Sequence, residues 1–225
     1  MIERGGPGRR PGHFMGVECD MSEVVGIVLA AGTSSRMNGL LKAILPFDGK
    51  HMLRCVVESA LNSSLDRVVV VLGNAFEIIS KVVPITGAEV VFNPEFSTGQ
   101  SSSLRAGLSA VGQTCDGALF LLGDQPLVDS AVIDAVVEKF RQTRMPIVVP
   151  THSGKPGNPV LFARSLFPEI MRLRGDVGAR SLIAEHKKLI ATVEVANDSI
   201  HLDIDTWEDY LALLKRTNNI MGERL

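Results

Sequence analysis

Several stretches of this chain have the residue types and spacing to do chemistry on a polyanion. Foremost is Leu29-Ala30-Ala31-Gly32-Thr33-Ser34-Ser35-Arg36-Met37, closed by Lys42. Small residues let the backbone N–H groups of a strand-to-helix loop come close to an anion, and Arg36 and Lys42 add positive charge. A phosphate-rich ligand suits that set; an ordinary βα connection with two solvated cations also accounts for it. Asp124 follows an apolar run in Leu119-Phe120-Leu121-Leu122-Gly123-Asp124-Gln125-Pro126. Ligands of open α/β sheets bind at that carboxyl edge. A carboxylate there can hold Mg²⁺, which bridges substrate phosphates, or it can stabilise the turn before Pro126. In His201-Leu202-Asp203-Ile204-Asp205-Thr206, an extended backbone would put His201, Asp203 and Asp205 on one face. Asp124 and Asp205 together would suit a hard divalent cation, with His201 in a hydrogen-bonding role. A polar edge strand capped by Thr206 is the alternative.

Further loops carry polar groups. In Asn93-Pro94-Glu95-Phe96-Ser97-Thr98-Gly99-Gln100-Ser101-Ser102-Ser103, Gln100 and the serines can pair with a nucleobase or ribose edge. Gly99 there permits close backbone approach. Helix capping by Ser101 or a neighbour explains the same residues. Arg174-Gly175-Asp176-Val177-Gly178-Ala179-Arg180 offers two cations for a phosphate, with Asp176 holding one of them or a polar ring. It also reads as a solvated turn. The stretch from Pro150 to Pro159, with Ser153-Gly154-Lys155-Pro156-Gly157-Asn158-Pro159, is the richest irregular region and has the composition of a functional loop.

The elements that must position these residues follow from the apolar pattern. Apolar runs alternate with amphipathic stretches, as in a mainly parallel sheet covered by helices. Strands are expected at 24–29, 67–72, 89–92, 117–122 and 146–149. Helices are expected at 52–63, 76–83, 101–111, 130–143, 166–172 and 179–186, with a last one from Trp207 capped by Thr206 and helped by Asp209. The expected fold class is therefore α/β, a mainly parallel sheet with helices on both faces. A single domain over 23–217 is expected, its smaller C-terminal part being the substrate-binding half. Residues 1–22 read as a flexible leader, with Met21 an alternative start, and 218–225 as a tail.

Bulk properties narrow the function. At 225 residues, the chain suits one large α/β domain, and its 45% hydrophobic content fits a well-buried core. A formal charge of -2 argues against nucleic-acid binding, so local charges must hold any anion. Cys19, Cys55 and Cys115 are widely spaced and form no CxxC pair, which points to a reducing cytoplasm and no thiolate metal site. No apolar run approaches a membrane span, and no membrane partner is expected. No Ser/His/Asp or Cys/His signature is evident.

Taken in order, LAAGTSSRM with Lys42, NPEFSTGQSSSLRAGL, GDQP, GKPGNPVLF, RGDVGARSLI and DIDTWEDY resemble the molybdenum cofactor cytidylyltransferase (MocA-like) branch of the MobA-like nucleotidyltransferases. The likeness runs from about Val24 to Leu214. It implies a Rossmann-like fold, Mg²⁺ dependence and transfer of a nucleoside monophosphate from an NTP. By that resemblance the triphosphate lies on Leu29, Ala30, Ala31, Gly32, Ser34, Ser35, Arg36 and Lys42. Asn93, Gly99, Gln100, Ser101, Ser102, Gly123 and Asp124 complete the nucleotide site. Asp124 and Asp205 hold the metal, and Arg36, Lys42 and Asp124 are catalytic. Gln125, Pro126, Gly157, Asn158, Pro159, Asp176, Gly178 and Arg180 face the acceptor. The Ala30-Ala31 pair looks like the cytidylyl branch, whose guanylyl relatives tend to carry Gly at the second position. Asn38 stands where Gly usually follows Arg-Met, Trp207 where Pro is frequent, and Asn158 where His is frequent.

The reaction implied is attack by an acceptor phosphate, such as that of molybdopterin, on the α-phosphorus of CTP, with pyrophosphate leaving; a molybdoenzyme would then receive the cofactor. A phosphate monoester is largely ionised near neutral pH, its second pKa being about 6, so no activated Ser or Cys is needed. Bringing two polyanions together is the obstacle, and positioning with charge neutralisation meets it. Transfer to another phosphorylated acceptor, or nucleotide binding by a non-catalytic cofactor carrier, fits the same residues. A dinucleotide-dependent oxidoreductase fits less well, because GTSSRM lacks the GxGxxG spacing and no acidic residue closes the second strand.

Overall fold

The computed structural model describes residues 22–32, 37, 39–112 and 115–222, with side chains described as far as 217. The proposed leader and Met21 start, Cys19, and Ser34, Ser35, Arg36 and Asn38 lie outside the described residues.

Five parallel strands and two later ones form the spine. They are β1 (Val24–Ala30), β4 (Arg67–Leu72), β5 (Glu89–Phe92), β6 (Gly117–Leu122), β7 (Ile147–His152), β9 (Val160–Ala163) and β10 (Ile190–Glu194). Their spatial order is β10-β7-β9-β6-β1-β4-β5, and short β8 (Lys155–Pro156) pairs with β7 to complete an eight-stranded sheet. β1 sits centrally, parallel to both β4 and β6. Its residues read as an unbroken apolar run because both faces are covered. Val24 and Val28 join one core cluster, Val25 and Ile27 the other; in β4, Val68 and Val70 separate from Val69 and Val71 in the same way. That two-residue alternation sorts one strand between two cores.

On one face lie α1 (Met52–Leu61), α2 (Phe76–Val82) and α4 (Ser130–Thr143), packing through residues such as Val56, Ile79 and Ile133. The other face carries α3 (Gln100–Val111), α5 (Phe167–Ile170) and α6 (Arg180–Glu185), through Leu104, Ile170 and Leu182. The mainly parallel α/β architecture expected from the sequence is the one observed.

The C-terminal part differs from expectation. β9 and β10 were not expected, and they enter the main sheet: β9 inserts antiparallel between β6 and β7, and β10 adds to β7 in parallel. β9 is four residues long, too short for an apolar run to show a period, and β10 is only partly buried. Residues 202–205 also depart from the extended reading. A 3-10 turn at Asp198–His201 precedes them, and they form no strand.

A third apolar cluster lies outside the sheet. Leu45 and Phe47, from the hairpin of β2 (Pro46–Phe47) and β3 (Lys50–His51), meet Met52, Ile204, Tyr210 and Leu213. α7 (Trp207–Gly222) continues past residue 217, where the domain was expected to end. Its start is capped reciprocally: the Asp209 amide donates to Thr206 Oγ1 at 3.1 Å, and the Thr206 amide donates to Asp209 Oδ2 at 2.8 Å. The Tyr210 hydroxyl donates to the Pro46 carbonyl at 2.6 Å. This cluster therefore fixes the segment before α7 against the one before β2, which brings Asp205 to Lys42.

Candidate active site

A cleft of about 960 Å³ opens at the carboxyl ends of β1 and β6, lined on its floor by Leu29, Ala30, Ala31, Gly32, Gly123 and Asp124. The Gly123 amide donates to the Leu29 carbonyl at 2.9 Å, continuing the β1–β6 pairing one step beyond the strand. A Cβ on Gly123 would stand 2.9 Å from that of Ala30. Small residues on both strands thus let the two carboxyl ends close together, and Asp124 leaves the sheet at their edge.

Lys42 reaches this edge from a 3-10 turn at Lys42–Ile44. Its Nζ donates to Asp205 Oδ1 at 2.6 Å and to Asp124 Oδ2 at 3.4 Å. The backbone ties the two carboxylates further, since the Ile204 amide donates to the Asp124 carbonyl at 3.0 Å. Asp203 also lines the cleft and accepts from Gln125 Nε2 at 2.6 Å. Burial pushes the carboxyl pKa of both Asp124 and Asp203 up, with Lys42 pulling the first back and Gln125 the second. Asp124 and Asp205 meet at one lysine ammonium, and Asp203 lines the same cleft. Carboxylate oxygens are the hard donors that a divalent ion takes. Asp203 is a cleft residue outside the expected metal pair, and its signal was the i, i+2 spacing to Asp205. His201 takes the hydrogen-bonding part expected of it: its Nε2 lies 3.2 Å from the Lys155 carbonyl oxygen.

The opposite wall is the start of α3. Gly99, Gln100 and Ser103 line the cleft, while Asn93, Ser101 and Ser102 are buried. Asn93 Nδ2 donates to the hydroxyls of Ser102 at 2.9 Å and Ser103 at 3.2 Å. The Ser101 hydroxyl donates to the Gly175 carbonyl at 2.7 Å, and that of Ser102 to the Gly99 carbonyl at 2.8 Å. Their polar atoms are spent on shaping the wall. Gly99 does permit a close backbone approach, but to protein: at φ +109 its missing Cβ leaves room for the Gly175 carbonyl carbon, 2.3 Å from where that Cβ would be.

The residues expected to face an acceptor divide in the same manner. Asn158, Asp176, Gly178 and Arg180 line the cleft. Gln125, Pro126 and Pro159 are buried beneath it. Gly157 packs against Ile200, where a Cβ would meet the carbonyl oxygen at 2.5 Å, and the Asn158–Pro159 peptide is cis. Arg174 does not reach the cleft; it donates to the carbonyls of Met171 and Leu173. Aromatic and apolar groups not singled out in the sequence, Leu41 and Phe96 among them, complete the lining. Among the described residues burial disfavours a thiolate: it pushes the Cys115 thiol up to about 11 and raises that of Cys55.

Residues 26–189 match the MobA-like NTP transferase domain. This chain belongs to that family. It is a nucleotidyltransferase. The nucleotidyltransferase is 28% identical over 203 residues to the molybdenum cofactor cytidylyltransferase of Escherichia coli K12, covering 89% of this chain and 100% of that one. It is 27% identical over 203 residues to a protein of Paenarthrobacter nicotinovorans named nicotine blue oxidoreductase, covering 88% and 99%. Among solved structures, a complex of Rv0371c from Mycobacterium tuberculosis H37Rv with manganese superposes with a TM-score of 0.75 at 29% identity, covering 86% and 99%. Relatives at this distance carry names from different chemistries.

Proposed function

We propose that this nucleotidyltransferase moves a cytidylyl group from CTP to a phosphate of molybdopterin, with a divalent cation, Mg²⁺ or Mn²⁺, held by Asp124 and Asp205. The observation that carries this reading is the convergence of Asp124, Asp205 and Lys42 in one cleft with Gly32 and Gln100. Similarity to the cytidylyltransferase of E. coli and to the manganese complex of Rv0371c supports it.

Bound there, the cation supplies charge neutralisation for the triphosphate. The chain's own groups do the rest. Backbone amides from Ala30 to Gly32 receive phosphate oxygens at the end of β1, and Gln100 turns its amide to the base. Arg180 and Asn158 face the acceptor, and Arg180 orients its phosphate toward the α-phosphorus. An acceptor oxygen forms a bond to that phosphorus as the bond to the bridging oxygen breaks, and pyrophosphate leaves with the electron pair. With the nucleophile already anionic, no side chain needs to take a proton. Positioning and electrostatics carry the rate.

Pyrophosphate release, followed with each of the common NTPs and Mg²⁺ or Mn²⁺, tests the reading. Turnover with CTP and molybdopterin is expected. Turnover only with another phosphorylated acceptor would overturn the molybdopterin assignment and keep the nucleotidyl half. CTP binding without release, given every acceptor, would favour a carrier.

A further inference from the structure

The loop after Leu173 is fastened to the nucleotide wall by more contacts than an acceptor-facing turn needs. The Ser101 hydroxyl and amide both donate to the Gly175 carbonyl, at 2.7 and 3.3 Å. The Gln100 amide N–H donates to Asp176 Oδ1 at 3.3 Å. Arg105, one turn further along α3, donates to the Leu173 carbonyl at 2.8 Å while pairing with Glu95 at 2.8 Å. Gly99 and Gly175 touch backbone to backbone. Gly178 completes the contact: a Cβ there would stand 2.4 Å from Gln100 Oε1 and 3.3 Å from Gln100 Cδ. The carboxamide of Gln100 therefore rests on the bare Cα of Gly178, and Asp176 holds its backbone from the other side.

We infer that Asp176 and Gly178 are positioning residues for base selection: Asp176 anchors the Gln100 backbone and Gly178 seats its carboxamide, so the loop on the acceptor side decides which NTP is taken. This rests on the reading of Gln100 as the base contact, and it assigns the loop a second duty beyond facing the acceptor. The chemistry is that of an amide with one donor end and one acceptor end. Cytosine and guanine edges present different donor and acceptor orders, so an amide held in one orientation discriminates between them, while one free to rotate serves both.

Gly178→Ala is a selective probe. The added methyl meets only the far end of the Gln100 side chain, and Gly178 does not hold a positive φ. Binding of CTP and of GTP, each with Mg²⁺, is measured by calorimetry on the full chain carrying Gly178→Ala, Asp176→Ala, Gln100→Ala, or Gly178→Ala with Gln100→Ala. The expected result is a loss of about tenfold in the ratio of CTP to GTP affinity for Gly178→Ala, and a similar loss for Asp176→Ala, which removes the acceptor of the Gln100 N–H. Once Gln100 is Ala, adding Gly178→Ala should change the ratio no further, which a general loosening of the fold would not reproduce. A changed ratio in Gln100→Ala with none in Gly178→Ala or Asp176→Ala overturns the positioning role and leaves Gln100 as the base contact. An unchanged ratio in all variants overturns both. Absence of binding by any triphosphate to the unaltered chain would instead defeat the proposed nucleotidyl reading.

Discussion

At the residue scale, the decisive feature is a lysine that serves as counter-ion to two carboxylates from distant parts of the chain. The sequence places Lys42 among phosphate-binding cations, yet its Nζ lies 2.6 Å from Asp205. An ammonium and a divalent cation compete for the same oxygens, and at such distances each repels the other strongly. Lys42→Met should therefore tighten Mn²⁺ binding to the nucleotide-free protein, read by electron paramagnetic resonance titration, while weakening CTP binding about tenfold. Unchanged Mn²⁺ affinity would show that the ammonium does not occupy the metal's place. Asp124→Ala should abolish transfer, with a loss of at least about 100-fold. Its melting temperature should hold or rise, because burial already holds the Asp124 carboxyl pKa up and Lys42 keeps Asp205 as partner. A melting temperature several degrees lower would contradict that ledger of burial against pairing.

At the element scale, α7 matters more for where it begins than for its length. Thr206 and Asp209 cap it reciprocally, and the residue just before that cap is Asp205. Losing the cap frays the first turn and loosens a site carboxylate together. Asp209→Ala should cost about 1 kcal/mol, seen as a fall of about 2–4 °C in Tm for a domain of this size. Mn²⁺ affinity should fall with it, although Asp209 itself takes no part in the site. The cap was legible in Thr206 and Asp209 as they stand in the sequence. Whether 201–205 is extended was not legible, because alternation alone cannot tell an extended strand from a loop whose amides pair irregularly. Here the Ile204 amide goes to Asp124, not to a ladder.

At the scale of the whole molecule, surface carboxylates set the acid limit. Thr206 hydrogen bonds hold Asp209 low, Arg216 holds Asp198 low, Thr151 holds Glu194 low and Lys50 holds Glu58 low. A carboxyl lowered on folding stabilises the native state above its unfolded pKa of about 4, and that stability is lost as pH falls through the lower folded value. Asp124 and Asp203 act with the opposite sign, since burial raises them: the native state gains as they protonate. The urea midpoint should hold near neutral pH and fall below about pH 4. Asp198→Asn and Asp209→Asn should flatten that fall. An acid limb unmoved by either substitution would place the acid sensitivity elsewhere.

The amino-acid order alone determined the alternation of β1, β4 and β6 between two cores, the helices that cover them, and the loops whose residue types suit an anion. These are local properties: period, capping and small residues at strand ends are written within a dozen positions. Only the folded chain decided which of those polar residues face the cleft. Ser101 and Gln125 have the chemistry of ligand contacts, but the distant Gly175 and Asp203 claim their hydrogen bonds, while Asn93 and Ser102 spend theirs within one wall. The junction of Lys42 with Asp124 and Asp205 spans the length of the chain. Distances of that kind are set by packing of the Tyr210 cluster, not by any local pattern.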